Sequence, residues 1–207
     1  MSTPSDVAAR IASRSLAERG ATYESEVRRL LDAGLTLIGR DSRARVADIV
    51  ASAGLSNEAF YRHFPSKDAY VAALIEDGAL RLRSYLAHQM DKARSPEDKV
   101  RRWVQGVLAQ AGDEEIASTS RAVLAQASSP ALPEHPGPAV LLAGLLEPVL
   151  AALGSPQPAL DAALASHAVV GHMTEHLIAG TQPSHAETER VIAYVLGPRE
   201  ARRRRRP

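Results

Sequence analysis

The sequence predicts an all-α protein in which a small N-terminal helical unit precedes a larger C-terminal helical body. Alanine and leucine dominate a chain of 207 residues that is 45% apolar but only 4% aromatic, a composition that favours helices over sheets. Apolar residues recur at helical spacing in one segment after another. Serine, proline or glycine bounds most of these segments, as expected at helix starts and stops. The chain has no cysteine, which excludes disulfides and thiolate metal sites and points to a cytoplasmic protein. No stretch approaches the roughly 18 uninterrupted apolar residues of a membrane span, and the N-terminus lacks the apolar core of a signal peptide.

The net charge of +1 conceals a division along the chain. Residues 40 to 102 carry twelve Lys/Arg against nine Asp/Glu, whereas residues 103 to 198 carry two against nine. Residues 199 to 207 carry six against one. Positive charge therefore lies in the first half and at the C-terminal tip, and the acidic body has the wrong sign to attract nucleic acid itself.

Residues 1–19 form an N-terminal extension. Val7, Ile11 and Leu16 with Arg10, Arg14 and Arg19 allow a short basic helix, but a flexible solvated arm is the expectation. Helix 1 is expected from Tyr23 to Ile38, burying Val27, Leu30, Leu31, Gly34 and Ile38. Arg40, Arg43 and Arg45 follow in the connection to helix 2.

From Arg45 to Phe64 the pattern is that of a helix-turn-helix. Val46, Ile49, Val50 and Ala53 recur at helical spacing. Gly54 then supplies the left-handed backbone that ends a helix, Leu55 enters the turn, and Ser56 caps the next helix. Phe60 and Phe64, one turn apart, face the core, which turns Asn57, Glu58, Tyr61 and Arg62 outward. Long polar side chains of this kind read base edges or hold phosphates. Pro65 closes the helix, Ser66 caps another, and Lys67 at that new N-terminus is a ready phosphate ligand.

The order Ala-Gly-Leu-Ser (53–56), Phe-Tyr-Arg-His-Phe (60–64) and Pro-Ser-Lys-Asp (65–68) resembles the tetracycline-repressor (TetR) family of regulators, with the match running from about Thr22 to Leu82. The resemblance implies a three-helix helix-turn-helix DNA-binding domain over residues 20–85. A C-terminal effector-binding and dimerisation domain would span 86–198, followed by a disordered Arg-rich tail at 199–207. It also implies a homodimeric repressor, released by a small-molecule effector, on a near-palindromic DNA operator. Asn57 and Arg62, with Glu58, are then the candidates for base contact. Ser56, Tyr61, His63, Lys67, Arg43 and Arg45 join them at the DNA, mostly as phosphate ligands, with burial as the alternative for His63. Two positions depart from the family pattern. Ala44-Arg45-Val46 lacks the usual Thr or Ser opening helix 2, leaving Asp41 or Ser42 to stand in. Glu58 replaces a small residue, and a carboxylate there needs a cytosine amino group or Arg62 as partner.

Helix 4 is expected from Ser66 to Met90 and links the two domains. Ser95-Pro96-Glu97-Asp98 opens a helix reaching Gln110. It contains Trp103, which either lines an effector pocket or fills the core. Further helices are expected at Ile116–Ala127, Val140–Leu153, Ala159–Ala179 and Ala186–Leu196. Between the first two lies a loop containing Pro130, Pro133, Pro136 and Pro138. The resemblance makes the last two helices a dimer seam, to which Ala162, Ala165, Val169, Met173, His176 and Leu177 would contribute.

His172-Met173-Thr174-Glu175-His176 spells H-x-x-E-H, a zinc-protease pattern, and His167 or His185 offers a third nitrogen. A metal-sensing regulator or zinc-dependent hydrolase built on that pattern is the alternative function. The main expectation assigns no catalytic residue, cofactor or metal ligand. It places His172 and His176 with Trp103 in the ligand pocket or at the dimer seam.

Overall fold

The computed structural model describes residues 4–40, 44–127 and 135–197. The described residues form helices, with no strand among them. The first is α1 (Pro4–Arg40), followed by α2 (Val46–Ala53), α3 (Asn57–His63) and α4 (Lys67–Asp91). The body adds α5 (Pro96–Gly112), α6 (Glu114–Leu124), α7 (Pro138–Ala152), α8 (Pro158–Ala179) and α9 (His185–Leu196).

α1 corrects the expected start of helix 1 at Tyr23. It is one helix of 37 residues, about 55 Å long at the standard rise, so the N-terminal segment continues it and does not form a separate arm. Gly20 does not break it, because a single helical glycine costs only about 1 kcal/mol relative to alanine. From Val7 to Glu24 the helix is almost wholly exposed, and its buried side begins at Leu30.

Two apolar cores organise the packing. The first joins Leu30, Leu31 and Ile38 of α1 to Ile49, Val50 and Ala53 of α2, Phe60 of α3, Phe64, and Tyr70, Val71 and Leu74 of α4. It also contains Val123 of α6, so this core draws on a residue from beyond α4. The second core runs from Leu86 and Met90 at the far end of α4 through Val100, Trp103, Val104 and Val107 of α5 to α7, α8 and α9. α4 contributes to both cores and is the strut between them. Arg28 of α1 pairs with Asp77 of α4 at 2.8 Å, and Arg81 bridges Asp77 at 2.8 Å and Asp32 of α1 at 3.0 Å. Within the body, Ser166 Oγ of α8 donates to the Ala139 carbonyl of α7 at 2.7 Å.

Helix starts follow their caps. Ser56, Ser66 and Ser95 each accept from the backbone N–H three residues on, the bond that satisfies an orphan donor in a first turn. α6 begins before the expected Ile116 because Asp113 caps it, accepting from the N–H groups of Glu115 and Ile116. Pro130, Pro133 and the residues of the tail lie outside the described residues.

The seam expected on α8 is corrected. Ala162, Ala165, Val169, Met173 and Leu177 are buried within this chain's own body. The opposite stripe, Leu160, Leu164 and Ile178, is left exposed, as is Tyr194 of α9.

Candidate nucleic-acid interface

The turn between α2 and α3 is fixed from three sides. Gly54 adopts a left-handed conformation with φ 63°. Its N–H donates to the Ala51 carbonyl, and the Leu55 N–H donates to that of Val50 at 2.8 Å, the paired bonds of a Schellman ending. Arg29 of α1 then donates from Nη2 to the carbonyls of Ala53 and Gly54, placing a cation at the negative end of α2. At the other end of α2, Arg45 is the cap residue and gives no side-chain bond, but Asp48 Oδ2 accepts from the Arg45 N–H at 3.1 Å. The missing hydroxyl cap is thus offset from inside the helix; Asp41 and Ser42 lie outside the described residues.

α3 is anchored by aromatic packing. Phe60 is fully buried, Phe64 nearly so, and their rings lie 5.1 and 5.0 Å from that of Tyr70, within the range of favourable aromatic pairs. Tyr70 Oη donates to the Leu30 carbonyl at 2.7 Å and sits against Gly34, where a Cβ would meet it at 1.7 Å. Burial pushes the Tyr70 phenol well above its ordinary range. With this side fixed inward, Asn57, Glu58 and Tyr61 are exposed on the other, and Tyr61 keeps 56% of its surface open.

The remaining expected site residues divide. Ser56 is occupied as the cap of α3. Arg45 is exposed at the start of α2, and Arg43 lies outside the described residues. Lys67 is half-buried, with Nζ donating to the Ala44 carbonyl at 3.2 Å, so it ties the start of α4 to the entry of α2. Arg62 remains about half exposed, but its Nη2 is 2.7 Å from Glu26 Oε2 on α1. It must release or share that carboxylate to reach a base.

His63 is corrected outright as a phosphate ligand. Its side chain is fully buried, Nε2 lies 2.6 Å from Glu26 Oε2, and its ring meets Tyr23 edge-on at 4.2 Å. No part of it faces outward, because it sits on the inner edge of α3 against α1. Hydrogen bonds from His63 first, and Arg62 second, hold the Glu26 carboxyl below its usual range. Glu26, Tyr23 and Arg29 are therefore the supporting residues that sequence reasoning missed. Glu26 and His63 are 37 residues apart, and no local pattern connects them.

In the body, Trp103 is fully buried and packs as a core residue, with Nε1 lacking a protein partner. His172 and His176 do lie together on α8, their rings 4.8 Å apart. Glu175 is 83% exposed and reaches only to 3.9 Å from His172 Nδ1, so the H-x-x-E-H residues do not converge as that pattern requires.

The family model for bacterial regulatory proteins of the tetR family matches residues 30–74, which span the end of α1, both helices of the turn and the start of α4. Over those residues the chain is similar to the N-terminal domain of tetR-family regulatory proteins. The match covers α2 and α3, the helix-turn-helix of that domain. Comparison with curated proteins finds no sequence match. Solved structures share the fold at low identity. A TetR-family regulator from Pectobacterium atrosepticum is 20% identical, with a TM-score of 0.58 over 87% of this chain and 93% of that one. FadR from Bacillus subtilis, in complex with stearoyl-CoA, is 16% identical, with a TM-score of 0.55 over 82% and 97%. RolR in complex with resorcinol is 14% identical, with a TM-score of 0.58 over 86% and 88%. No helix among the described residues is long and apolar enough to cross a membrane.

Proposed function

We propose that this chain is a TetR-family repressor that binds a near-palindromic operator as a homodimer and is released by a small molecule held in its body. The observation that carries the reading is the outward face of α3. Asn57, Glu58 and Tyr61 are exposed side by side, while Ala59, Phe60 and Phe64 hold the helix against the core. Such a face suits the major groove, where Asn57 pairs with a base edge. Tyr61, Arg45 and Lys67 reach the flanking phosphates, and Arg62 joins them when Glu26 releases it. Glu58 takes a cytosine amino group or the freed Arg62 as its partner.

Residues 20–85 serve as the DNA-reading unit and 86–198 as the effector and dimer unit, and the protein works in the cytoplasm as a non-enzymatic regulator. For the dimer, the exposed stripe of Leu160, Leu164 and Ile178 with Tyr194 supports a seam through α8 and α9. An apolar stripe of this kind is stabilised by burial against its copy. It would set two α3 helices about 34 Å apart, one turn of the duplex. For the effector, the apolar second core around Trp103 suits a ligand with a substantial apolar part. The stearoyl-CoA and resorcinol complexes of FadR and RolR offer two precedents of very different size.

Fluorescence anisotropy with operator DNA selected from a random library tests the reading. Tyr61→Ala should weaken binding to every sequence and flatten its salt dependence, while Asn57→Ala should relax sequence preference by about 1–3 kcal/mol at one base pair. Unchanged selectivity in Asn57→Ala would remove that residue from the readout.

A further inference from the structure

We propose that His172, His176 and Glu187 form a binding site for a borderline divalent transition-metal ion, with Zn²⁺ as the type case, at the corner where α8 meets α9. One ligand atom from each of the three lies within 4.8 Å of the others. Tetrahedral zinc with ligands at 2.0–2.1 Å brings donors to about 3.3 Å of one another, so rotamer adjustments of about 1.5 Å close the site. This corner is separate from the face that reads DNA.

The sequence places the two histidines four apart on α8, hence on one face and one turn apart. A short turn after α8 brings back the first turn of α9, in which Glu187 stands. His176 Nε2 is 3.9 Å from Glu187 Oε1. His172 Nε2 is shielded from solvent and has no protein partner. An imidazole nitrogen left in that condition suits a Lewis acid that accepts its lone pair.

What surrounds the trio matches what metal ligands require. A ligating histidine uses its second nitrogen to bond an outer group that fixes tautomer and ring orientation. His176 Nδ1 lies 2.8 Å from Thr181 Oγ1, so with Nδ1–H donating there, Nε2 carries the free lone pair. Glu175 Oε2, 3.9 Å from His172 Nδ1, stands in the corresponding outer position for the other ring. Glu187 Oε2 accepts from the Ser184 N–H at 2.7 Å, which leaves Oε1 for the ion. Two neutral imidazoles and a carboxylate are ligands that zinc, cobalt, nickel and copper prefer to magnesium or calcium. With three protein ligands a position stays open for water or a fourth group. The carboxylate comes from α9 and not from Glu175, so the ligand set differs from that of the H-x-x-E-H pattern.

Titration of untagged full-length protein with ZnSO₄ by calorimetry, and with CoCl₂ followed by its visible absorption, tests the site. The expected result is one ion per chain, intense tetrahedral cobalt bands and no response to MgCl₂. Glu187→Gln should weaken zinc binding by at least about tenfold, and His176→Ala should abolish the cobalt bands. Glutamine still completes the cap with Ser184, so Glu187→Gln tests ligation without unfolding α9. Glu175→Gln and His167→Ala should bind like the parent. The proposal is overturned by absence of binding at micromolar zinc, by equal binding in Glu187→Gln, or by a loss in His167→Ala as large as in His176→Ala.

Discussion

Gly34→Ala sets two local rules against each other, and the structure says which prevails. Alanine inside a helix is favoured over glycine by about 1 kcal/mol, so helix propensity alone predicts a more stable protein. The added Cβ, however, would lie 1.7 Å from Tyr70 Oη and 2.8 Å from Cζ, and Tyr70 is fixed between Phe60 and Phe64. Forcing extra volume into a filled core costs about 1–3 kcal/mol, and losing the Tyr70–Leu30 hydrogen bond costs about 1 more. The net expectation is a loss of about 1–3 kcal/mol. For a chain of this size that lowers the melting temperature by roughly 3–10 °C. Thermal and urea denaturation of the single variants and the double variant would measure it. Tyr70→Phe should cost about 1 kcal/mol in the parent but be neutral or restoring in the Gly34→Ala background, because it removes the atom in closest contact. A Gly34→Ala protein more stable than the parent, or a Tyr70→Phe cost equal in both backgrounds, would refute the packing argument.

Further outcomes concern titration, ion pairing and the lone tryptophan. Because burial raises the Tyr70 phenol above its unfolded value, its share of stability is complete below about pH 10 and is lost as pH climbs toward the folded value. Tyr70→Phe should therefore lose less stability than the parent between about pH 10 and 11.5 in pH-dependent urea melts. The Glu26 carboxyl is depressed, so its contribution is present above the ordinary carboxylate range and disappears as pH falls through the lowered value. Glu26→Gln should flatten the acid limb of the stability profile, and nuclear magnetic resonance of His63 should report an altered ring environment. Asp77→Ala frees Arg28 and leaves Arg81 with Asp32 alone, both arginines being about half exposed. Water screens much of their loss, leaving a cost of about 1–2 kcal/mol with a parallel fall in DNA affinity. Trp103 should be inaccessible to acrylamide quenching until the body unfolds.

Those features governed by neighbours in the chain were legible before any coordinates. The serine caps at 56, 66 and 95, the left-handed Gly54 and the inward Phe60 and Phe64 all depend on residues within one turn, and each stands where the pattern places it. Contacts that cross between helices were not legible. Nothing near His63 announces Glu26, and nothing near Lys67 announces the Ala44 carbonyl. α8 failed for a different reason. It is apolar on both sides, so periodicity finds two stripes and cannot tell which meets the chain's own core. The histidine pair was visible as a spacing, but the approach of Glu187 to it depended on how α9 folds back.

The presence of Val123 in the first core has a practical consequence for anyone cutting this gene. A fragment ending near residue 85 would keep α2 and α3 whole, yet it would remove Val123 from the core that holds them. The same graft ties α6 to the core that holds α2 and α3.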